Sequence, residues 1–225
     1  MTLYELILGL PLFQGLSNSD LSNIVAQTKF EFRKAEEGTV YIKEGTPCTS
    51  ITFLLKGQSV IHSHANDYSY SVSETVSAPQ MFGLYHLFGL SQYFPGDVEA
   101  ASPCSLLMLT KEDVMRLCDE YFVFRINLMN RFSKAIQRLD RYRWAKEPTE
   151  ISKSIVSFFS LHSYYPAGHK VFNITMQQLA NEVHQSRLNV SRLLNSWEEA
   201  SLVRLSRGRI DIPHLERLIQ LKDNP

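Results

Sequence analysis

Ile174 to Trp197 reads ITMQQLANEVHQSRLNVSRLLNSW, and the reading of this stretch decides the architecture of the carboxy-terminal third of the chain. Thr175 followed three residues later by Gln178 is a capping box, in which each side chain satisfies an orphan N–H of the first helical turn. Ile174 is placed to staple onto Leu179, so a helix starts here. Leu179, Ala180 and Val183 supply its inner face, and Ala180 is small enough to let a second helix cross closely. His184-Gln185 makes a turn and Ser186 caps the next helix, along which Val190, Leu193, Leu194 and Trp197 recur at i, i+3, i+4 and i+7. Helix, short turn, helix is the helix-turn-helix motif.

The periodicity of the second helix turns Arg187, Leu188, Ser191, Arg192 and Asn195 outward. An arginine fork matches the N7 and O6 of guanine, so Arg187 and Arg192 are the expected base readers, on a recognition helix spanning 187–200. The Ser186 hydroxyl, Asn189, Ser191 and the helix amino terminus suit phosphate contacts, which position a protein without reading sequence. Next, Leu202-Val-Arg-Leu205 and Ile210-Asp-Ile212 alternate around Ser206-Arg207-Gly208-Arg209, a hairpin in which Gly208 supplies the permissive dihedral. This is a wing. The expected DNA-contact set is Thr175, Gln177, Ser186, Arg187, Leu188, Asn189, Ser191, Arg192 and Arg207.

Upstream, Ile151, Ile155, Val156, Phe158 and Phe159 form one buried helical face. Glu147-Pro148 marks a domain boundary, because proline forces its predecessor into extended backbone. From Phe122 to about Trp144 the chain has neither Gly nor Pro and reads as one long helix. Leu128, Phe132, Ala135, Leu139 and Tyr142 step along it by 4, 3, 4 and 3, with Ile126, Met129 and Ile136 beside them. A heptad-spaced second stripe suits pairing with a copy of the same helix, so Leu128, Phe132, Ala135, Leu139 and Tyr142 are the expected homodimer interface. The competing reading is one wide face buried on the molecule's own core. Lys134, Arg138 and Arg141 read as solvated outer charges.

Earlier still, short apolar runs at Phe30/Phe32, Val40 to Ile42, Ile51 to Leu55, Val60/Ile61, Tyr68/Tyr70/Val72, Val98 to Ala101 and Leu106 to Leu109 are punctuated by glycine, proline and Asn66-Asp67. That spacing predicts an antiparallel sandwich or jelly-roll barrel. Ser17 opens a short helix before it, and Thr110-Lys-Glu-Asp opens another after it. The fold class is α+β.

Composition sets limits. With 44% apolar and 20% charged residues, the chain of 225 is ordinary globular material sufficient for two modest domains. The formal net charge of +0 supplies no global field to attract nucleic acid, so DNA affinity must come from local arrangement. Between positions 187 and 209 five arginines face only Glu198 and Glu199, which is such an arrangement. Cys48, Cys104 and Cys118 are far apart and lack C-x-x-C spacing, so they read as reduced thiols and no metal or cofactor is expected. Met1-Thr-Leu-Tyr-Glu lacks a basic n-region and no apolar run is long enough to span a bilayer, which predicts a cytoplasmic protein without membrane association.

These features resemble the family of the cyclic-AMP receptor protein and the fumarate/nitrate reductase regulator. Pro11-Leu-Phe-Gln-Gly-Leu-Ser17, Gly38-Thr-Val-Tyr-Ile-Lys-Glu-Gly45, Ile51-Thr-Phe-Leu-Leu-Lys-Gly57, Ser186-Arg187 and Val190-Ser191-Arg192-Leu193 carry the resemblance, which covers nearly the whole chain. It implies a double-stranded β-helix, cyclic-nucleotide-binding-like sensor domain over 1–118. A long dimerisation helix and hinge over 119–146 and a winged helix-turn-helix over 147–225 would follow. By analogy Trp144 to Pro148 is the hinge about which an effector reorients the DNA-binding domains. The resemblance further implies double-stranded DNA with an inverted-repeat operator, and RNA polymerase, as partners.

Departures from the family pattern are informative. Cyclic-nucleotide binders carry Phe-Gly-Glu and a later Arg-Ser or Arg-Thr, where this chain has Phe82-Gly83-Leu84 and Phe94-Pro95. No Lys or Arg occurs from Met81 to Cys104, leaving His86 as the only candidate partner there for a nucleotide phosphate. Regulation by a cyclic nucleotide is therefore not expected. An iron–sulfur sensor is not expected either, since no cysteine precedes Cys48. Phe82, Leu84, Tyr85 and Phe94 could line a pocket for an apolar effector, or simply plug the barrel. His184 replaces the usual turn glycine, and Leu188 stands where the cyclic-AMP receptor protein has a base-contacting Glu, so the operator should differ.

A jelly roll also hosts cupin-type metal enzymes, and His62-Ser-His64 has the H-x-H such a site needs. Tyr68 and Ser69 occupy the places expected for its carboxylate, and the next acid apart from Asp67 is Glu74, so catalysis is not expected. A third reading is a dimeric scaffold that no longer binds DNA; it predicts affinity indifferent to Arg187→Ala and Arg192→Ala.

Overall fold

The computed structural model describes residues 3–143, 148 and 150–223. In chain order its elements are α1 (Leu3–Leu8), α2 (Asn18–Gln27), β1 (Glu31–Ala35), β2 (Val40–Ile42), β3 (Ser50–Lys56), β4 (Gln58–His64), β5 (Ser71–Ser77) and β6 (Gln80–Phe82). A single 3-10 turn (Leu84–His86) precedes β7 (Val98–Ala100), β8 (Cys104–Thr110), α3 (Lys111–Glu120) and α4 (Phe122–Arg143). The remainder is α5 (Ile151–Leu161), β9 (Lys170–Asn173), α6 (Met176–Glu182), α7 (Arg187–Glu199), β10 (Arg204–Ser206), β11 (Arg209–Ile212) and α8 (Leu215–Asp223).

The chain forms two compact units, one of Met1–Ser59 with Ser77–Trp144 and one of Val60–Val76 with Ala145–Pro225. Residues 60–76, which fall within the expected sensor segment 1–118 and hold most of the hairpin formed by β4 and β5, group with the carboxy-terminal unit. The physical reason is strand pairing, since β5 hydrogen-bonds to β9.

In the amino-terminal unit, a sheet of order β1-β8-β3-β6 has β8 as a central antiparallel strand. β2 pairs with β7. Ile51, Phe53, Leu107 and Leu109 are fully buried and pack with Phe13, Val114, Leu117 and Phe124 in one core. The anticipated helix starts are present, with the Ser17 hydroxyl accepting from the Asp20 N–H and the Thr110 hydroxyl from the Asp113 N–H, each at 3.1 Å. Tyr68 is not part of a strand. It lies in left-handed backbone in the turn between β4 and β5, and β5 starts only at Ser71.

In the carboxy-terminal unit the sheet order is β10-β11-β9-β5-β4, with α5 to α8 packed around it. Ile155, Phe159, Phe172, Leu179, Ala180, Val190 and Leu194 have no appreciable exposure and form its core, which also takes in Tyr70 and Val72 from the hairpin. β9 is a strand that hydrophobic periodicity did not reveal. Lys170 faces inward on it, so the segment lacks a continuous apolar signature.

Candidate nucleic-acid interface

The helix-turn-helix is assembled from local signals. Thr175 caps α6 in extended backbone, its hydroxyl accepting the Gln178 N–H at 3.2 Å while the Gln178 carboxamide oxygen accepts the Thr175 N–H at 2.9 Å. The cap thereby satisfies two first-turn donors. At the other end His184 adopts φ 52°, the left-handed conformation usually given to glycine. The Gln185 N–H reaches the Ala180 carbonyl at 2.9 Å and the His184 N–H reaches the Asn181 carbonyl at 3.2 Å. This is a Schellman closure, with histidine bearing the backbone strain at its pivot. Ser186 then caps α7, accepting the Asn189 N–H at 3.2 Å. α7 ends at Glu199 with Ala200 as its C-cap, one residue short of the expected 187–200.

Val190, Leu194 and Trp197 are buried and Leu193 is half-buried, which fixes the rotation of α7. Arg187, Leu188, Asn189, Arg192 and Asn195 are consequently exposed along one face, with Ser191 half-buried at its edge. In α6, Gln177 is exposed and its amide donates to Asn181 at 2.9 Å.

The wing closes against this pair. β10 and β11 place Arg204 opposite Asp211 and Ser206 opposite Arg209, and Gly208 turns the chain at φ 70°. A Cβ at Gly208 would stand 4.0 Å from the Thr175 methyl, so the wing tip lies beside the N-cap of α6 and brings Arg207 and Thr175 into one region. Glu198, noted in the sequence only as a charge, has a positioning role: its carboxylate accepts the Leu205 N–H at 2.7 Å and ties α7 to the wing. No local motif announces that bond. Arg209 is paired with Asp211 at 3.6 Å, whereas Arg204 and Arg207 project from the exposed face of the wing.

Comparison with known proteins fits this geometry. A cyclic nucleotide-binding domain model matches residues 32–121, and a Crp-like helix-turn-helix domain model matches residues 155–221. The chain belongs to the Crp/Fnr family of transcription regulators. Among solved structures, it is similar to the catabolite activator protein of Thermus thermophilus at 18% identity, covering 95% of this chain and 99% of that one with a TM-score of 0.50. A putative transcriptional regulator of the crp/fnr family from Eubacterium rectale gives 20% identity, coverage of 96% and 99%, and a TM-score of 0.51. At these identities the likeness shows the fold. No curated protein matches in sequence.

The four residues expected around an effector are not presented alike. Phe82 and Leu84 are buried, Leu84 in the amino-terminal core, while Phe94 is half-buried against that core. Tyr85 is exposed, with its ring 6.0 Å from that of Phe132 on α4. Burial lowers the His86 pKa below its ordinary 6.5, which disfavours the charged form of the one candidate phosphate partner in that segment.

His62 and His64 lie on β4. The first has Nδ1 at 3.1 Å from the Ser73 hydroxyl, and the second has Nδ1 at 2.8 Å from the Ala65 carbonyl and its ring stacked on Tyr68. Among the described residues no group of three or more His, Cys, Asp or Glu side chains could hold a metal ion, and no helix is long and apolar enough to cross a membrane.

Along α4 of this Crp/Fnr chain, Leu128 is 8% exposed and packs within its own unit, with Phe132 partly buried against the same core. Ala135 is half-buried, and Met129, Ile136 and Leu139 remain 56%, 65% and 61% exposed. The Tyr142 side chain lies outside the described residues, as does most of the expected hinge, residues 144–147.

Proposed function

We propose that this chain is a cytoplasmic, homodimeric regulator that reads an inverted-repeat operator in double-stranded DNA. The observation that carries the reading is the outward arginine face of α7, held by buried Val190, Leu194 and Trp197, beside a wing whose tip meets the α6 cap. Arg187 and Arg192 read base edges, with Leu188 contacting them apolarly. Thr175, Gln177, Ser186, Asn189, Ser191 and Arg207 hold phosphates. The α4 surface at Ala135, Ile136 and Leu139 pairs with its copy. The protein does no catalysis, and RNA polymerase is its partner at the promoter.

Selection of bound duplexes from a random pool at moderate salt tests this. The expected product is an inverted repeat with half-site centres about 10 base pairs or one helical turn apart. Arg187→Ala should relax one guanine position, costing roughly 1 to 3 kcal/mol of discrimination there. If no sequence is enriched, or if Arg187→Ala and Arg192→Ala leave binding unchanged, the scaffold reading replaces the regulator.

The effector is neither a cyclic nucleotide nor an iron–sulfur cluster. The absence of Lys and Arg from Met81 to Cys104, with burial disfavouring the charged form of His86, argues against a charged partner for a cyclic phosphate in that segment. Calorimetric titration with cyclic AMP should give no heat at micromolar concentrations. Saturable micromolar binding would overturn this assignment.

A further inference from the structure

Residues 60–76 lie between barrel strands in sequence, yet they belong to the DNA-binding unit. β5 runs antiparallel to β9, with Ser71 opposite Asn173, Val72 opposite Phe172, Ser73 opposite Val171 and Glu74 opposite Lys170. The other edge of β9 pairs with β11, the second strand of the wing. β9 is therefore a central strand whose backbone is committed on both sides.

The Glu74–Lys170 pair is a buried ion pair, the two side chains 1% and 0% exposed and 3.3 Å apart between Oε2 and Nζ. Main-chain groups complete it. Lys170 Nζ donates to the Ala167 carbonyl at 2.7 Å, and the Glu74 carboxylate accepts from the Tyr164 and Tyr165 N–H groups at 2.6 and 3.2 Å. Removing either partner strands a charge in the interior, so the two residues hold β5 and β9 together or not at all. A second tie reaches the helix-turn-helix: the Ser69 carbonyl accepts from Gln178 Nε2 at 2.8 Å, through the same amide whose oxygen accepts the Thr175 N–H. The hairpin thus touches both DNA-facing elements, the wing through β9 and the α6 cap through Gln178.

We infer that strand β5, fixed to β9 by the buried Glu74–Lys170 pair, is a positioning element for DNA recognition that sets the wing and the α6 cap relative to each other. The inference rests on the DNA-binding reading above and extends it to residues far from the recognition helix in sequence.

The test uses the full chain, with amide hydrogen exchange and binding to the selected duplex and to a scrambled one. E74Q is expected to speed exchange at 71–74 and 170–173 roughly tenfold or more while amides of β3 and β8 stay protected. Discrimination between selected and scrambled DNA should fall by about tenfold or more, while binding to scrambled DNA, which follows the unchanged arginines, persists. Because E74Q could unfold the unit, S71C/N173C provides the complement. Ser71 and Asn173 are directly opposed in the β5–β9 register, and opposed Cα atoms of an antiparallel pair stand about 4.5 to 5.5 Å apart, within the range a disulfide spans. Closing it in the E74Q background should restore both protection and discrimination.

Unchanged protection in E74Q would overturn the lock. Lost protection with discrimination intact, or a closed disulfide that rescues protection but not discrimination, would overturn the positioning role. A parent chain that discriminates no DNA would fail the regulator reading itself and this inference with it, a result told apart because exchange needs no DNA.

Discussion

His184 and Ser201 are non-glycine residues that close helices of the DNA-binding unit in left-handed backbone, at φ 52° and 57°. Each sits at the pivot of a Schellman closure, Ser201 through the bond from the Leu202 N–H to the Trp197 carbonyl at 2.8 Å. The left-handed well costs an L-residue roughly 1 to 2 kcal/mol, which glycine avoids. His184→Gly is therefore expected to stabilise the carboxy-terminal unit by about 1 kcal/mol, read as a higher denaturant midpoint at unchanged slope. A lower midpoint would mean that the imidazole makes a compensating contact. The turn was legible in the sequence because Thr175, Gln178 and Ser186 bracket it with caps, even though its usual glycine is missing. Lys170 was not legible. A lone lysine reads as solvated, and its partner Glu74 is 96 positions away, so only the fold shows that it is interior.

Among elements, α4 carries apolar side chains in two environments. Leu128 and Phe132 are consumed by their own unit, while Met129, Ile136 and Leu139 stay open, so the heptad spacing marked the helix face but not the point where self-packing stops. Leu139→Glu should weaken the dimer at least about a hundredfold, since two leucines worth roughly 1.5 to 3 kcal/mol each leave the seam and two carboxylates enter it. Sedimentation at micromolar concentration should then find monomer, and an unchanged dimer would place the interface elsewhere. Capped helices and long apolar strands such as β3 were legible, because their signals are local. β6 and the turn at Leu84–His86 were hidden in the aromatic run from Met81 to Phe88, where every residue looks like core. β9 was hidden because its pairing depends on strands from both ends of the unit, β5 and β11.

At the scale of the whole molecule, the grouping of residues 60–76 was not legible, since chain order places them among barrel strands and only the pairing of β5 with β9 sets them with the carboxy-terminal residues. The net charge of +0 gives the molecule no long-range attraction for DNA, so its electrostatic binding must be local to the exposed arginines Arg187, Arg192, Arg204 and Arg207. If a dimer presents two such sets and all engage phosphate or base, counterion release predicts that log K falls against log salt with a slope approaching roughly −7. Arginines that read base edges release fewer counterions than those on phosphate, which brings the expected slope to between about −4 and −7. Arg207→Ala removes one wing contact from each protomer and should make the slope shallower by about 2, with sequence preference unchanged. Arg187→Ala should instead flatten preference at one base position. A parent slope near zero would mean that these arginines do not meet the phosphate backbone, and the affinity of a neutral chain for DNA would then lack its electrostatic source.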